Sequence, residues 1–112
     1  MDVERVVAER IGVTVGVPAY LDVPQGAPDE FLTVEQTGGG GTYMEAVSLD
    51  IDCWAGTRKR AKALSALVAA AVPDLDDEPN VFGPKVENSY RMNDPDTGKP
   101  RYVVSVSLWI CE

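Results

Sequence analysis

Strict alternation of apolar and polar residues between positions 47 and 53 constrains the fold of this chain most. The apolar positions are Val47, Leu49, Ile51 and Cys53, and the polar positions between them are Ser48, Asp50 and Asp52. Successive side chains of a β-strand point to opposite faces, so this run predicts a strand with one buried and one polar face. Residues 31–36 alternate in the same way, and four glycines at 38–41 lie between the two runs. Together they predict a long β-hairpin with a flexible glycine-rich tip.

Helical spacing appears twice along the chain. Near the start, apolar residues at helical intervals follow Asp2, which can serve as the N-cap, and Gly12 is the expected end of this first helix. The β-branched residues at 13–17 then predict a strand, and Pro18 restricts that strand to the edge of a sheet.

A second helix is predicted to begin at Thr57 and to end at Pro73, with an acidic loop at 74–79 after it. Its expected apolar stripe consists of Ala61, Leu64, Leu67, Val68, Ala71 and Val72.

The last third of the chain predicts two further strands. A weaker run extends from 84 or 85 to 91, and a rigid turn over residues 93–100 separates it from a strand at 102–111. Both faces of the last strand are partly apolar, so we expect it inside the sheet. The resulting order is α-β-β-β-α-β-β. For 112 residues, it predicts a single α+β domain, a mostly antiparallel β-sheet with helices packed on one face.

Composition excludes several classes of function. The chain has 18 acidic against 10 basic residues and no histidine, which argues against a general nucleic-acid binder and removes the commonest general base. Both cysteines are expected to be free thiols, and we expect no cofactor. The absence of a long apolar run or a signal peptide predicts synthesis in the cytoplasm and no membrane contact.

Paired acids offer the strongest candidate chemistry. Asp50 and Asp52 share one strand face, which favours a solvated face or a subunit contact, although carboxylate pairs also hold metal ions. A small metal-dependent enzyme that uses Asp50, Asp52, Asp94 or Asp96 is therefore a third possible function. The string "TGK" lacks the first glycine of a phosphate loop, and the glycines at 38–41 precede a strand instead of a helix.

Four bases crowd the start of the second helix. Arg58, Lys59, Arg60 and Lys62 lie where the helix dipole disfavours positive charge. We expect these side chains either to be solvated or to form ion pairs. The acidic partners would then be Asp50 and Asp52, or residues of a neighbouring subunit.

Two tryptophans, Trp54 and Trp109, lie in strand-like runs. Both are expected in the core. An exposed strand tryptophan would instead be typical of an interface.

Several strings resemble the tail terminator (tail completion) proteins of long-tailed phages and prophages. They are "FLTVEQTGGG", "DIDCWAGT" and "DPDTGKPRYVVSVSLWI", in which an acidic turn with Thr97 and Gly98 leads through Arg101 and Tyr102 into the last strand. The resemblance extends over residues 16–110, and the stretch "VENSYRMN" departs most from the pattern.

This resemblance implies a virion protein without catalytic residues. Such proteins form a hexameric ring that caps the tail tube, stops its growth, and offers the head a joining surface, while DNA passes through the channel without sequence-specific binding. The implied partners are further copies of the chain, the tail tube protein and a head-completion or connector protein. A head–tail connector (neck) protein is the alternative. Candidate interface residues are Gly39, Gly40, Asp50, Asp52, Arg58, Arg60, Lys62, Asp96 and Arg101.

Overall fold

Five strands form one sheet in the computed structural model, which describes residues 1–39 and 44–111. The elements are α1 (Val3–Val15), β1 (Ala19–Tyr20), β2 (Phe31–Gly39), β3 (Met44–Trp54), α2 (Arg58–Ala71), a 3-10 helix (Val72–Asp77), β4 (Val81–Arg91) and β5 (Arg101–Cys111). The strand order is β1-β2-β3-β5-β4. All neighbouring strands are antiparallel except β1 and β2. The predicted α+β class and order of elements are confirmed.

The hairpin of β2 and β3 forms the centre of the core, as its alternation predicted. Leu32 pairs with Cys53 and Val34 with Ile51, and all four side chains are buried on the helix side of the sheet. Burial raises the pKa of the Cys53 thiol, and both cysteines are free. Strand β5 lies between β3 and β4, in the interior position that its two apolar faces indicated.

Helix α1 is longer than predicted, and the prediction of a strand at 13–17 is wrong because the helix continues to Val15. Asp2 caps the helix by accepting a hydrogen bond from the Arg5 amide, but the helix runs past Gly12 and ends at Gly16, whose φ is 83°. Gly12 is a close-packing position: a Cβ there would lie 3.0 Å from that of Ala19. Continuous backbone hydrogen bonding outweighs the β-branched composition, and the edge strand is the two-residue β1 instead.

Helix α2 begins as predicted, because Thr57 accepts a hydrogen bond from the Arg60 amide. The α-helix also ends as predicted, at Ala71 just before Pro73. Pro73 itself occupies the first turn of a 3-10 helix, where it needs no amide donor. The predicted acidic loop is therefore largely helical, and its Leu75 is fully buried. Leu67 was wrongly placed in the apolar stripe. It is 54% exposed, since it lies about 100° around the helix from buried Val68.

The sheet face opposite the helices, called the open face from here on, carries the polar positions of the alternating strands. Towards the start of β4 and the end of β5 it is bare of any described segment. At the other end the loops at 21–30 and 92–100 lie over it, and Phe31, Trp54 and Val103 are buried there. Strand β4 begins at Val81, three residues before its predicted start, and two irregularities interrupt its pairing with β5. Within the described residues, no helix has the length and apolar character needed to cross a membrane.

Candidate functional site

A pocket of about 460 Å³ opens at the loop-covered end of the open face. Strands β2, β3 and β5 supply its floor, and the turn at 94–99 supplies one wall. The side chains that line it include Phe31, Thr33, Asp52, Trp54, Lys99 and Arg101.

Aromatic stacking forms the floor of the pocket. Trp54 and Phe31 are cross-strand partners, and their rings stack at 5.4 Å with only 6° between the planes. The Trp54 indole Nε1 donates to Thr33 Oγ1 at 3.0 Å, so its one polar atom is satisfied inside the protein. Trp54 is therefore a core residue, as expected by default, whereas Trp109 is 47% exposed.

Arg101 forms the charged side of the pocket and is fixed by three contacts. Its guanidinium carbon lies 4.9 Å from the centre of the Trp54 ring, and its Nε donates to the Met92 carbonyl at 2.9 Å. A guanidinium nitrogen lies 3.9 Å from the Asp52 carboxylate. Lys99 adds a second cation, 5.9 Å from the centre of the Phe31 ring. The pocket thus presents two cations over an aromatic floor.

The turn beside the pocket has the rigid geometry that its sequence predicted. The Asp94 carboxylate accepts hydrogen bonds from the Thr97 hydroxyl at 2.7 Å and the Asp96 amide at 3.3 Å. These bonds, the Thr97 hydroxyl first, lower the pKa of Asp94. Gly98 supplies the positive φ of 73° that closes the turn.

Asp52 is a pocket acid whose charged form is disfavoured by burial. Burial raises the pKa of its carboxyl group, and the nearby Asp50 adds to this effect, while Arg101 and the Thr33 hydroxyl oppose it. The ion pair at 3.9 Å is long, so it does not fully compensate for lost hydration.

Replacing Asp52 by asparagine is expected to raise stability at pH 7. A raised pKa in the folded state means that ionisation of Asp52 opposes folding, so the penalty is complete above that pKa and absent below the usual aspartate pKa of about 3.9. The gain in the urea midpoint over the natural chain should therefore vanish as the pH falls towards 3. Asp94→Asn is the opposite-sign control, since the Asp94 pKa is lowered. An Asp52→Asn gain that persists unchanged at pH 3 would contradict the explanation.

The four acids proposed as metal ligands are not gathered into one site. Asp52, Asp94 and Asp96 line the pocket, whereas Asp50 accepts a hydrogen bond from the Ser105 hydroxyl at 2.9 Å. In the described parts of the chain, no group of three or more cysteine or acidic side chains is placed to hold a metal ion.

The basic cluster does not meet Asp50 or Asp52 within the chain, which corrects one of the two contacts considered for it. Arg60 instead forms a two-pronged pair with Glu30, with both distances 2.9 Å. The reason is geometric, because α2 packs on the helix side of the sheet and the two aspartates lie on the open face. Arg58, Lys59 and Lys62 are exposed, and none forms an ion pair with a residue in 1–39 or 44–111.

Gly39 belongs to β2 instead of a free hairpin tip, and Gly38 pairs with Ser48 beside it. The φ of Gly39 is 127°, and a Cβ there would lie 2.7 Å from the Ala46 carbonyl oxygen. Only glycine fits this position, which gives the residue a structural role. Gly40, the other glycine expected at an interface, lies outside the described residues.

A scan against protein-family models and a search of curated proteins find no match to this chain.

Among the residues predicted to form an interface, the structure brings Asp52, Asp96 and Arg101 together at the pocket. Arg58, Arg60 and Lys62 lie on α2, away from the open face. Sequence reasoning missed Phe31, which is the cross-strand partner of Trp54. The hairpin register carried that information, but it could not be fixed without the length of the loop between β2 and β3.

Proposed function

We propose that this protein is a structural subunit of a phage tail, a terminator that caps the tail tube as a ring and provides the surface for head joining. The observation that carries the proposal is the bare end of the open face. There Trp109 and Phe82, cross-strand partners, are each about half exposed. Large aromatic side chains on an uncovered sheet face are typical of a surface that another protein covers. The strings that resemble tail terminators support the same role.

Charge supports this proposal as well. The net charge is −8, so the chain as a whole is anionic. A surface of like charge repels DNA phosphates, which suits a ring through which DNA must pass without adsorbing.

The pocket also fits a structural role better than a catalytic one. Its cations are held against aromatic rings, and its most buried acid, Asp52, already faces Arg101. The buried thiol of Cys53, with its raised pKa, stays protonated and unreactive at neutral pH.

Polymerising tail tubes provide the test. Purified protein added to growing tubes from the same phage or prophage should stop elongation and label one tube end by electron microscopy. The cap should have about six times the 12.1 kDa mass of the chain. Binding to the portal complex with no effect on tubes would favour a head–tail connector instead, and binding to neither would refute a role at this junction.

A further inference from the structure

The bare end of the open face carries an apolar cluster, called the tryptophan patch, formed by Met44, Phe82 and Trp109. Their exposed fractions are 51%, 50% and 47%. Phe82 is the cross-strand partner of Trp109, so the two side chains share a face. Aromatic and methionine side chains are the residues enriched at the centres of protein interfaces.

Acidic residues lie on the same face as this patch, to one side of it. The acidic strip consists of Glu35 and Asp50, which are cross-strand partners, and neither forms an ion pair with any described residue. Asp50 pairs with Ser105 on β5, four residues before Trp109. At about 3.4 Å per residue, the strip and the patch are about 14 Å apart. The open face therefore carries two acids without ion pairs, between its apolar end and the pocket that holds Lys99 and Arg101.

The other side of the molecule presents the converse pattern on α2. Its exposed side carries Lys59 and Lys62, which form no ion pair within the described parts of the chain, and Leu67, which is 54% exposed. Around the helix axis Lys59 lies between the other two, about 60° from Lys62 and about 80° from Leu67. Lys59 and Leu67 are eight residues apart on the helix, a separation of about 12 Å. Ala66 and Ala70 lie beside Leu67, and their small side chains allow another backbone to approach closely.

We infer that the exposed side of α2 of one copy docks on the open face of the next copy. Lys59 and Lys62 then lie against the acidic strip, and Leu67 packs on the tryptophan patch. The occupant is a second copy because one chain carries both halves of the complementary pattern, with about 12 Å from Lys59 to Leu67 and about 14 Å from Asp50 to Trp109. Contact between two different surfaces is heterologous and builds a closed ring when the rotation between copies allows it. This inference rests on the proposed ring and assigns its subunit contact.

Two variants that each damage one surface test the contact, and both change exposed side chains. Trp109→Glu disables the open face, and Leu67→Glu disables the α2 face. The natural chain should self-associate in sedimentation equilibrium at about 1 mM, where a contact worth about 4 kcal/mol is half-occupied. Each variant alone should be monomeric. An equal mixture should form dimers and nothing larger, because one intact pair of surfaces remains.

Charge reversal tests the polar half of the same contact. Lys59→Glu with Lys62→Glu should weaken self-association by about tenfold or more. Mixing this variant with one carrying Glu35→Lys and Asp50→Lys should restore association beyond dimers, because both contacts between the two variants are then complementary. Val13→Glu is the matched control, since Val13 is 82% exposed but lies on α1, outside both surfaces. It should associate as the natural chain does.

Two results would overturn the inference. The first is a natural chain that stays monomeric at about 1 mM. The second is normal assembly by either single variant. If a normally assembling Trp109→Glu variant also no longer caps tubes, the open face contacts the tube protein instead. Because the tube-capping experiment is separate, the proposed terminator function can stand when this contact fails.

Discussion

Replacing Trp54 by alanine is expected to lower the free energy of unfolding by about 3–5 kcal/mol, the cost of removing a large buried aromatic side chain. The change removes the stack on Phe31 and the indole hydrogen bond to Thr33, and it uncovers the Arg101 guanidinium. Urea denaturation followed by circular dichroism measures the loss directly.

Trp109→Ala is the matched control for this prediction. The residue type is the same, but Trp109 is about half exposed, so the expected loss in the monomer is below about 1 kcal/mol. Trp54→Phe separates the two contributions. It keeps an aromatic ring on Phe31 and removes the hydrogen bond to Thr33, with an expected loss of about 1–2 kcal/mol. Equal losses in the two alanine variants would contradict the assignment of Trp54 to the core.

The sequence predicts the strands of this fold, but it does not predict which of the two tryptophans is buried. Period-two alternation identified β2, β3 and β5 and the buried side of each, because one buried face imposes that pattern directly. Either tryptophan fitted a strand, however. What separates them is the cover supplied by the loops at 21–30 and 92–100, and loop paths follow tertiary contacts that no local pattern encodes.

The errors along α1 and the 3-10 helix have a related cause. Gly12 was expected to end α1 but instead allows β1 to approach the helix, and the residues after Pro73 were expected to form a loop but form a 3-10 helix with Pro73 in its first turn. In both places packing against the sheet decides the conformation, and a residue that normally breaks a helix is kept for the space or the geometry that it provides.

One part of the candidate site could likewise be predicted from the sequence, and another part could not. The turn from Asp94 to Gly98 was predictable, because its hydrogen bonds are local and its glycine has to adopt a positive φ. The pairing of Arg60 with Glu30 was not, because it joins two residues that are 30 positions apart. Which cations remain available for a partner could therefore be read only from the folded chain.

The second large effect is expected at Leu75, within the segment that the sequence presents as an acidic loop. The side chain is fully buried in the core below the 3-10 helix, so Leu75→Ala should cost about 2–5 kcal/mol and lower the melting temperature by roughly 10 °C or more. Calorimetry or urea denaturation measures the loss.

Leu67→Ala is its matched control, because the residue is the same and the side chain is more than half exposed. The expected loss is below about 0.5 kcal/mol, since alanine also favours the helix. The two leucines differ in what lies against them and not in the character of their neighbours in sequence. A Leu75→Ala variant as stable as the Leu67→Ala variant would mean that the 3-10 helix does not pack on the core and that Leu75 is not buried.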